Sequence, residues 1–304
     1  MTTNARLRAL VELADTGSVR GAAQRLVVTE SSVSAAVSAL AADVGVPLLR
    51  RSGRGVLLTP AGERYVGYAR RILGLHDEAL AAARGEADPE RGLLRLAAVT
   101  TAGEHVVPTL LASFRARFPD VTLRLEVAHR DLVWPLLSHH DVDLVLAGRP
   151  PLELAGGIRA VSPNTLLVVG PPSVVEDFAP GRVTWLMREP GSGTRETCDA
   201  LLAALEIDPP RLTLGSAGAV IAAAEAGLGV TLTSRQAVSR RLADGTLVEL
   251  PMPGTPLHRP WHAVSNPHPT AGTDLFVAHL LTRQGWSLPA AARSGTHTAS
   301  DLTP

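Results

Sequence analysis

Apolar residues at Leu7, Leu10, Val11 and Ala14 recur at helical spacing and predict a first helix over 4–14. Gly17-Ser18 stops it, and Ser18 is placed to cap a second short helix ending near Leu26. Thr29 can cap a third helix over 30–44, with Val33, Val37 and Leu40 on its apolar face and Gly45-Val46-Pro47 at its end. Two short apolar stretches, Leu48-Leu49 and Val56-Leu57-Leu58, then flank Arg50-Arg51-Ser52-Gly53-Arg54-Gly55, which predicts a hairpin with an arginine-rich tip. Thr59-Pro60-Ala61-Gly62-Glu63 carries a cap, a first-turn proline and a capping-box glutamate, and opens a long helix to about Arg84. Gly85-Glu86-Ala87-Asp88-Pro89 has the composition of a linker.

Beyond Gly92 the period changes. Strand-like runs at 93–99, 121–127, 143–147, 166–169, 183–187 and 229–232 alternate with helical stretches at 104–118, 131–138, 194–205 and 217–226. Such alternation predicts a mostly parallel α/β architecture in two lobes. The chain therefore divides into an α-rich 1–59, a linking helix 60–89 and an α/β region 90–288. Its first lobe takes 90–163 and 265–288, and its second 164–264. The segment 289–304, rich in small and polar residues, is expected to be a disordered tail.

Charge sharpens this division. Formal net charge is zero over 304 residues, but up to His76 ten arginines face five acids, a balance of plus five, so the remainder is net acidic. A basic head on an acidic body suits one part that meets phosphates and one that does not. No apolar run reaches the roughly 18 residues needed to span a bilayer, so no membrane partner is expected. The single cysteine, Cys198, forbids an internal disulfide. With no signal-peptide core at the start, it predicts a cytoplasmic protein.

Helix, turn, helix and arginine-tipped hairpin is the order of a winged helix-turn-helix. The exposed face of the third helix, Glu30, Ser31, Ser34, Ala35 and Ser38, is small, so its backbone could approach a major groove. Amides at Glu30 to Ser32 and nearby hydroxyls could hold phosphates, and Arg50, Arg51 and Arg54 could track the backbone or enter the minor groove. Taken alone, the same helices fit a three-helix packing module equally well.

Gly17-Ser18-Val19-Arg20-Gly21-Ala22-Ala23-Gln24-Arg25-Leu26, Val33-Ser34, Leu40, Gly45-Val46-Pro47-Leu48-Leu49-Arg50-Arg51 and Leu58-Thr59-Pro60-Ala61-Gly62 resemble the LysR-type regulators, and the likeness runs to about Trp286. The resemblance implies a homodimer paired through the helix after Pro60, or a tetramer, reading an inverted repeat in double-stranded DNA. RNA polymerase is a further implied partner, and no enzymatic activity is expected. The DNA-binding residues it implies are Ser18, Arg20, Thr29, Glu30, Ser31, Ser32, Ser34, Ser38, Arg50, Arg51 and Arg54. Where that family usually carries Gln near 30, Arg-Gln at 35 and 36 and a basic residue at 38, this chain has Glu30, Ala35, Ala36 and Ser38. Only Glu30, toward cytosine, suits a base contact among these.

A second constellation is Arg188-Glu189-Pro190-Gly191-Ser192-Gly193-Thr194-Arg195, a glycine-rich turn between a strand and a helix. Free amides, two hydroxyls and an arginine there favour an anion, while the spacing and lysine of a P-loop are missing. Thr100-Thr101 opens a similar helix in the first lobe, and Gly148-Arg149-Pro150-Pro151 ends another strand. The expected architecture is a two-lobe, periplasmic-binding-protein-like domain. Its effector site would comprise Thr100, Thr101, Arg149, Gly191, Ser192, Gly193, Thr194, Arg195 and Ser216. Within the LysR family these stretches resemble the activators of carbon-fixation operons, which implies a small anionic effector, phosphorylated by analogy, and no cofactor.

Other residues carry less. A lone cysteine on a helix is more often packing than a redox sensor. His139-His140-Asp141-Val142-Asp143 lacks ligand spacing and reads as a solvated turn rather than a metal site. Ser192 and Ser216 have no recognisable base partner for nucleophilic chemistry.

Overall fold

A computed structural model describes residues 3–52, 55–85, 90–152, 154 and 157–289. Arg54, residues 86–89 of the expected linker, and all of the expected tail after residue 289 lie outside the described residues.

The N-terminal part contains α1 (Thr3–Thr16), α2 (Val19–Leu26), α3 (Glu30–Val44), a hairpin of β1 (Leu49–Ser52) and β2 (Gly55–Leu58), and α4 (Pro60–Gly85). Local chemistry sets each boundary. The Ser18 hydroxyl accepts from Gly21 N at 3.0 Å, and Thr29 Oγ1 accepts from Ser32 N at 3.2 Å. Thr59 Oγ1 accepts from Gly62 N and donates to the Pro47 carbonyl. Gly62 permits this seat, because a Cβ there would sit 2.0 Å from the Leu48 carbonyl oxygen. Leu7, Leu10, Leu13, Val33, Val37 and Leu40 form one core with Val66, Ala69 and Leu73, so the first half of α4 belongs to this domain.

Lobe 1 contains β3 (Leu93–Val99), α5 (Thr100–His105), α6 (Val107–Arg117), β4 (Thr122–Ala128), α7 (Arg130–Ser138), β5 (Leu144–Ala147) and β6 (Gly157–Ser162). Lobe 2 follows with β7 (Thr165–Gly170), β8 (Trp185–Met187), α8 (Gly193–Ala204), β9 (Arg211–Thr213), α9 (Ala217–Glu225), β10 (Thr231–Ser234), α10 (Arg235–Ala243), β11 (Val248–Glu249) and β12 (Leu257–His258). The chain returns to lobe 1 for β13 (Trp261–Ser265) and α11 (Ala271–Leu281). Because β13 pairs with both β5 and β6, the second crossing precedes Trp261 instead of falling near 264.

The sheets are mixed, which corrects the expectation of mostly parallel pairing. In lobe 1 the strand order is β4-β3-β5-β13-β6, with β3 parallel to β4 and β5 and β13 antiparallel to both neighbours. In lobe 2 the strands β10, β11 and β12 all pair antiparallel with β7. The helix expected over 104–118 breaks at Val106. Pro108 has no N–H to give to Glu104 and its ring would crowd that carbonyl.

A cavity between two lobes and a winged helix-turn-helix

The cavity lies where strands of both lobes feed helices. Its walls include Thr100, Thr101, His129, Arg130 and Arg149 from lobe 1, and Arg188, Ser192, Gly193, Thr194 and Thr197 from lobe 2. Asn164, Arg259 and Trp261 line it at the crossings, and the empty space, open mouth included, is about 620 Å³. Ser192 is the N-cap of α8 and makes no side-chain cap bond, so the first amides of that helix are left for another acceptor.

Arg188 is the best-fixed cation here. It is buried, its Nε and Nη2 donate to Glu189 at 2.8 and 2.6 Å, and Nη1 reaches Thr101 Oγ1 across the cleft at 3.4 Å. Burial alone would raise the Glu189 carboxyl, but the hydrogen bonds and charge of Arg188, its own backbone amide and the nearby His129 together outweigh it and hold the carboxyl below its ordinary range. Glu189 Oε1 also faces His129 Nδ1 of lobe 1 at 3.1 Å. Arg149 and Arg259 also line the cavity, both of them exposed, and among the described residues neither has a carboxylate partner. Asn164 ties the crossings together, donating to the Arg259 carbonyl at 2.9 Å and accepting from Ser234 at 2.6 Å.

Of the effector residues expected from sequence, Thr100, Thr101, Arg149, Ser192, Gly193 and Thr194 line this cavity. Three do not. Arg195 turns away, donating to the Arg188 carbonyl at 2.8 Å and lying 3.5 Å from Asp199. Ser216 is spent capping α9, where it accepts from Ala219 N. Gly191 shapes the loop at φ +82 beside Asp131 without lining the cavity. Sequence reasoning quoted Arg188 within the turn motif but left it out of the effector residues, and it missed Arg130 and Arg259. Arg188 and Arg130 abut strand ends, where α/β folds place ligands; Arg259 has no comparable local signal.

In the helix-turn-helix, Arg20, Glu30, Ser31, Ser34, Ser38 and Arg50 are exposed, as the DNA-facing reading requires. Ser18, Thr29 and Ser32 bond within the caps, and Ala36 is buried, so position 36 offers nothing to DNA. The Arg51 backbone is in β1, whereas Arg54 lies outside the described residues. On α4, Tyr68, Ile72, Leu75 and Ala79 form an exposed stripe at helical spacing.

The remaining motifs have structural roles. Cys198 is buried 3.8 Å from the Met187 sulfur, and burial pushes its thiol up to about 12. The His139-His140 turn is not solvated, in contrast to expectation: it seats on α4, with the His139 carbonyl against Gly74 and His140 Nδ1 bonded to Glu78. No group of three metal-ligating side chains occurs among the described residues.

Comparisons with known proteins agree with this arrangement. Residues 5–63 match the family described as "Bacterial regulatory helix-turn-helix protein, lysR family", and residues 87–285 match "LysR substrate binding domain". The HTH-type transcriptional regulator CbbR of Rhodospirillum rubrum is 36% identical over 81% of this chain and 84% of its own length. A RuBisCO operon transcriptional regulator of Acidithiobacillus ferrooxidans is 32% identical over 88% of this chain and 91% of its own. Among solved structures, the CcmR regulatory domain of Synechocystis PCC6803 in complex with 2-PG is 25% identical with a TM-score of 0.56, covering 62% of this chain and 96% of that one. The chain belongs to the LysR family and is a DNA-binding transcription regulator with an effector-binding domain.

Proposed function

We propose that this regulator works as a homodimer on an inverted-repeat operator and takes a small phosphorylated carboxylate as its effector in the cavity between the lobes. The observation that carries the effector reading is the pair of uncompensated arginines, Arg149 and Arg259, in a cavity that also holds the free N-terminus of α8 and Arg188. Cations with no protein counter-charge favour a ligand bearing more than one negative charge. A phosphoryl group fits the Ser192-Gly193-Thr194 turn, where amides and hydroxyls converge, and a carboxylate fits the remaining guanidinium groups. The 2-PG complex of the related CcmR domain supports the same class of ligand.

The homodimer reading rests on the stripe Tyr68, Ile72, Leu75 and Ala79. Its apolar groups face away from the helix-turn-helix core, and pairing with the same stripe of a second copy would remove them from water. Two α3 helices would then present Glu30, Ser31, Ser34 and Ser38 to two half-sites. A cytoplasmic location follows from the DNA partner.

The test is calorimetry of the full chain against 2-phosphoglycolate, inorganic phosphate, sulfate and glycolate, beside footprinting on DNA upstream of its own gene. Saturable binding of the phosphorylated carboxylate, tighter than phosphate or glycolate alone, together with an altered footprint is expected. Binding of an uncharged metabolite and none of these anions would overturn the effector reading.

A further inference from the structure

Helix α7 touches two places that matter for regulation, one at each end. Its N-cap His129 and first residue Arg130 line the effector cavity. There they pack against the glycine-rich turn of lobe 2: His129 faces Glu189, Arg130 lies 3.9 Å from Glu196, and the positions of a Cβ on Gly191 and on Gly193 approach Asp131 and Arg130 to 3.2 Å. Nine residues later, after about 13 Å at the usual helical rise, the other end meets α4.

That second contact leaves no slack. A Cβ on Gly74 would fall 2.0 Å from the His139 carbonyl oxygen and 2.7 Å from His140 Cβ. His140, at φ +60, points its Nδ1 at the buried Glu78 of α4, with Asn266 Nδ2 3.0 Å from the same nitrogen. The turn itself is stitched to α7: His140 N donates to the Leu137 carbonyl and Asp141 N to that of Leu136. Between its ends α7 is clamped to the lobe 1 sheet through Val133, Trp134 and Leu137. Packed interiors shift between discrete arrangements and do not stretch, so a helix held this way moves as a body.

We propose that α7 is the strut by which the state of the cavity reaches the DNA-binding half. Movement of the Gly191–Gly193 turn, on lobe closure or ligand binding, displaces His129 and Arg130. The helix carries the displacement to the His139-His140 turn, which acts on α4 at Gly74 and Glu78. Because α4 continues into the core of the helix-turn-helix through Leu73, Ala69 and Val66, a tilt of α4 changes the spacing of the two recognition helices. Only the ligand arm of the test below rests on the effector reading.

The experiment is a double-mutant cycle in the full chain, read as operator affinity and footprint without ligand. His129→Ala breaks the cavity end. Gly74→Ala breaks the α4 end while improving the helix propensity of α4, so the helix itself is not weakened. Circular dichroism and light scattering check that Gly74→Ala folds and retains its assembly. If it does not, His140→Asn replaces it, removing the Glu78 bond with a residue that tolerates positive φ. His129→Ala is expected to change operator affinity or footprint by about threefold or more in the wild-type background and not in the Gly74→Ala background. Equal effects in both backgrounds, or none in the wild type, overturn the strut. In a parallel arm, 2-phosphoglycolate should bind the wild type and Gly74→Ala alike but alter the footprint only of the wild type. A footprint that still responds in Gly74→Ala overturns the proposal. Failure of the wild type to bind this probe counts against the effector reading alone, since the ligand-free cycle still decides the strut.

Discussion

Arg195 Nη1 donates to the backbone carbonyl of Arg188 at 2.8 Å, so one arginine of the glycine-rich turn braces the strand end from which the other faces the cavity. The two substitutions therefore separate. Arg188→Ala should weaken 2-phosphoglycolate binding about ten- to a hundredfold, the range for one charge-assisted hydrogen-bonding group. Arg195→Ala should lower the melting temperature yet change affinity by less than about tenfold. Calorimetry on both variants checks this, and a larger affinity loss at Arg195 would move the ligand contact to that side chain.

Neighbouring residues on α4 differ sharply in burial: Ile72 is 50% exposed and Leu73 is 8% exposed. Glutamate at both Ile72 and Leu75 should give a folded monomer by light scattering, with operator binding lost because two half-sites are no longer engaged together. Leu73→Ala should instead destabilise the helix-turn-helix by about 2–5 kcal/mol, as for other buried leucines. A dimer that survives both glutamates would place the interface elsewhere.

Caps and glycine turns are local, and the sequence was most readable where they act. Ser18, Thr29 and Thr59 start their helices because each hydroxyl meets an amide three residues on, a contact that needs no knowledge of the rest of the fold. The strand-to-helix turns at Thr100 and Ser192 were visible from another local sign, an apolar strand run giving way to small polar residues and glycine, although neither helix has a side-chain cap. What stayed hidden depends on packing between distant segments. Asp199, one turn further along α8, was a local partner for Arg195 that the sequence offered, whereas its bonds to the Arg188 carbonyl and to Thr213 depend on how β8 and β9 pack beside that helix. The period of α4 allowed an apolar residue at both 72 and 73, and only the position of α1 decides which is covered. The His139-His140 pair looked solvated because its partners, Gly74 and Glu78, lie some sixty residues earlier on another domain's helix.

On the DNA side, Arg50 is exposed on the hairpin, and no ion pair to it occurs among the described residues. Arg50→Ala should weaken binding to all sequences alike and flatten the salt dependence by about one unit of slope, the signature of one lost phosphate contact. Ser34→Ala and Glu30→Gln should instead alter the ranking among operator variants, since both residues lie on the exposed face of α3. Filter binding across a salt series with randomised half-sites separates the two behaviours. Unchanged ranking in both α3 variants would shift specificity to DNA shape.

Cys198 should be silent. Only a thiolate reacts, and burial pushes this thiol up to about 12, with Asp199 adding to the effect. A colourimetric thiol reagent at pH 8 should therefore give no signal from the native protein and one equivalent after denaturation. Rapid labelling of the native chain would show that the α8 core opens.

Acid stability offers a last prediction, because three histidines are partly or wholly withdrawn from water. Burial pushes His139, His262 and His279 below the ordinary imidazole value, and neighbouring arginines add to it: Arg70 and Arg71 at His139, Arg149 at His262, and Arg283 and Arg117 at His279. A folded-state value below the unfolded one means that the unfolded chain takes up protons first as pH falls. Stability is then fully present above the unfolded value near 6.5 and declines as pH drops below it. Melting temperature should accordingly fall from pH 7.5 to pH 5.5; Asp141, whose carboxyl burial pushes up, acts in the opposite sense where it titrates. His279 Nε2 lies 2.9 Å from Ser113 Oγ, so His279→Gln keeps a polar partner for that hydroxyl while removing the titration. It should make the decline shallower. A melting temperature that holds level or rises over this range would mean that these side chains are already charged in the folded protein.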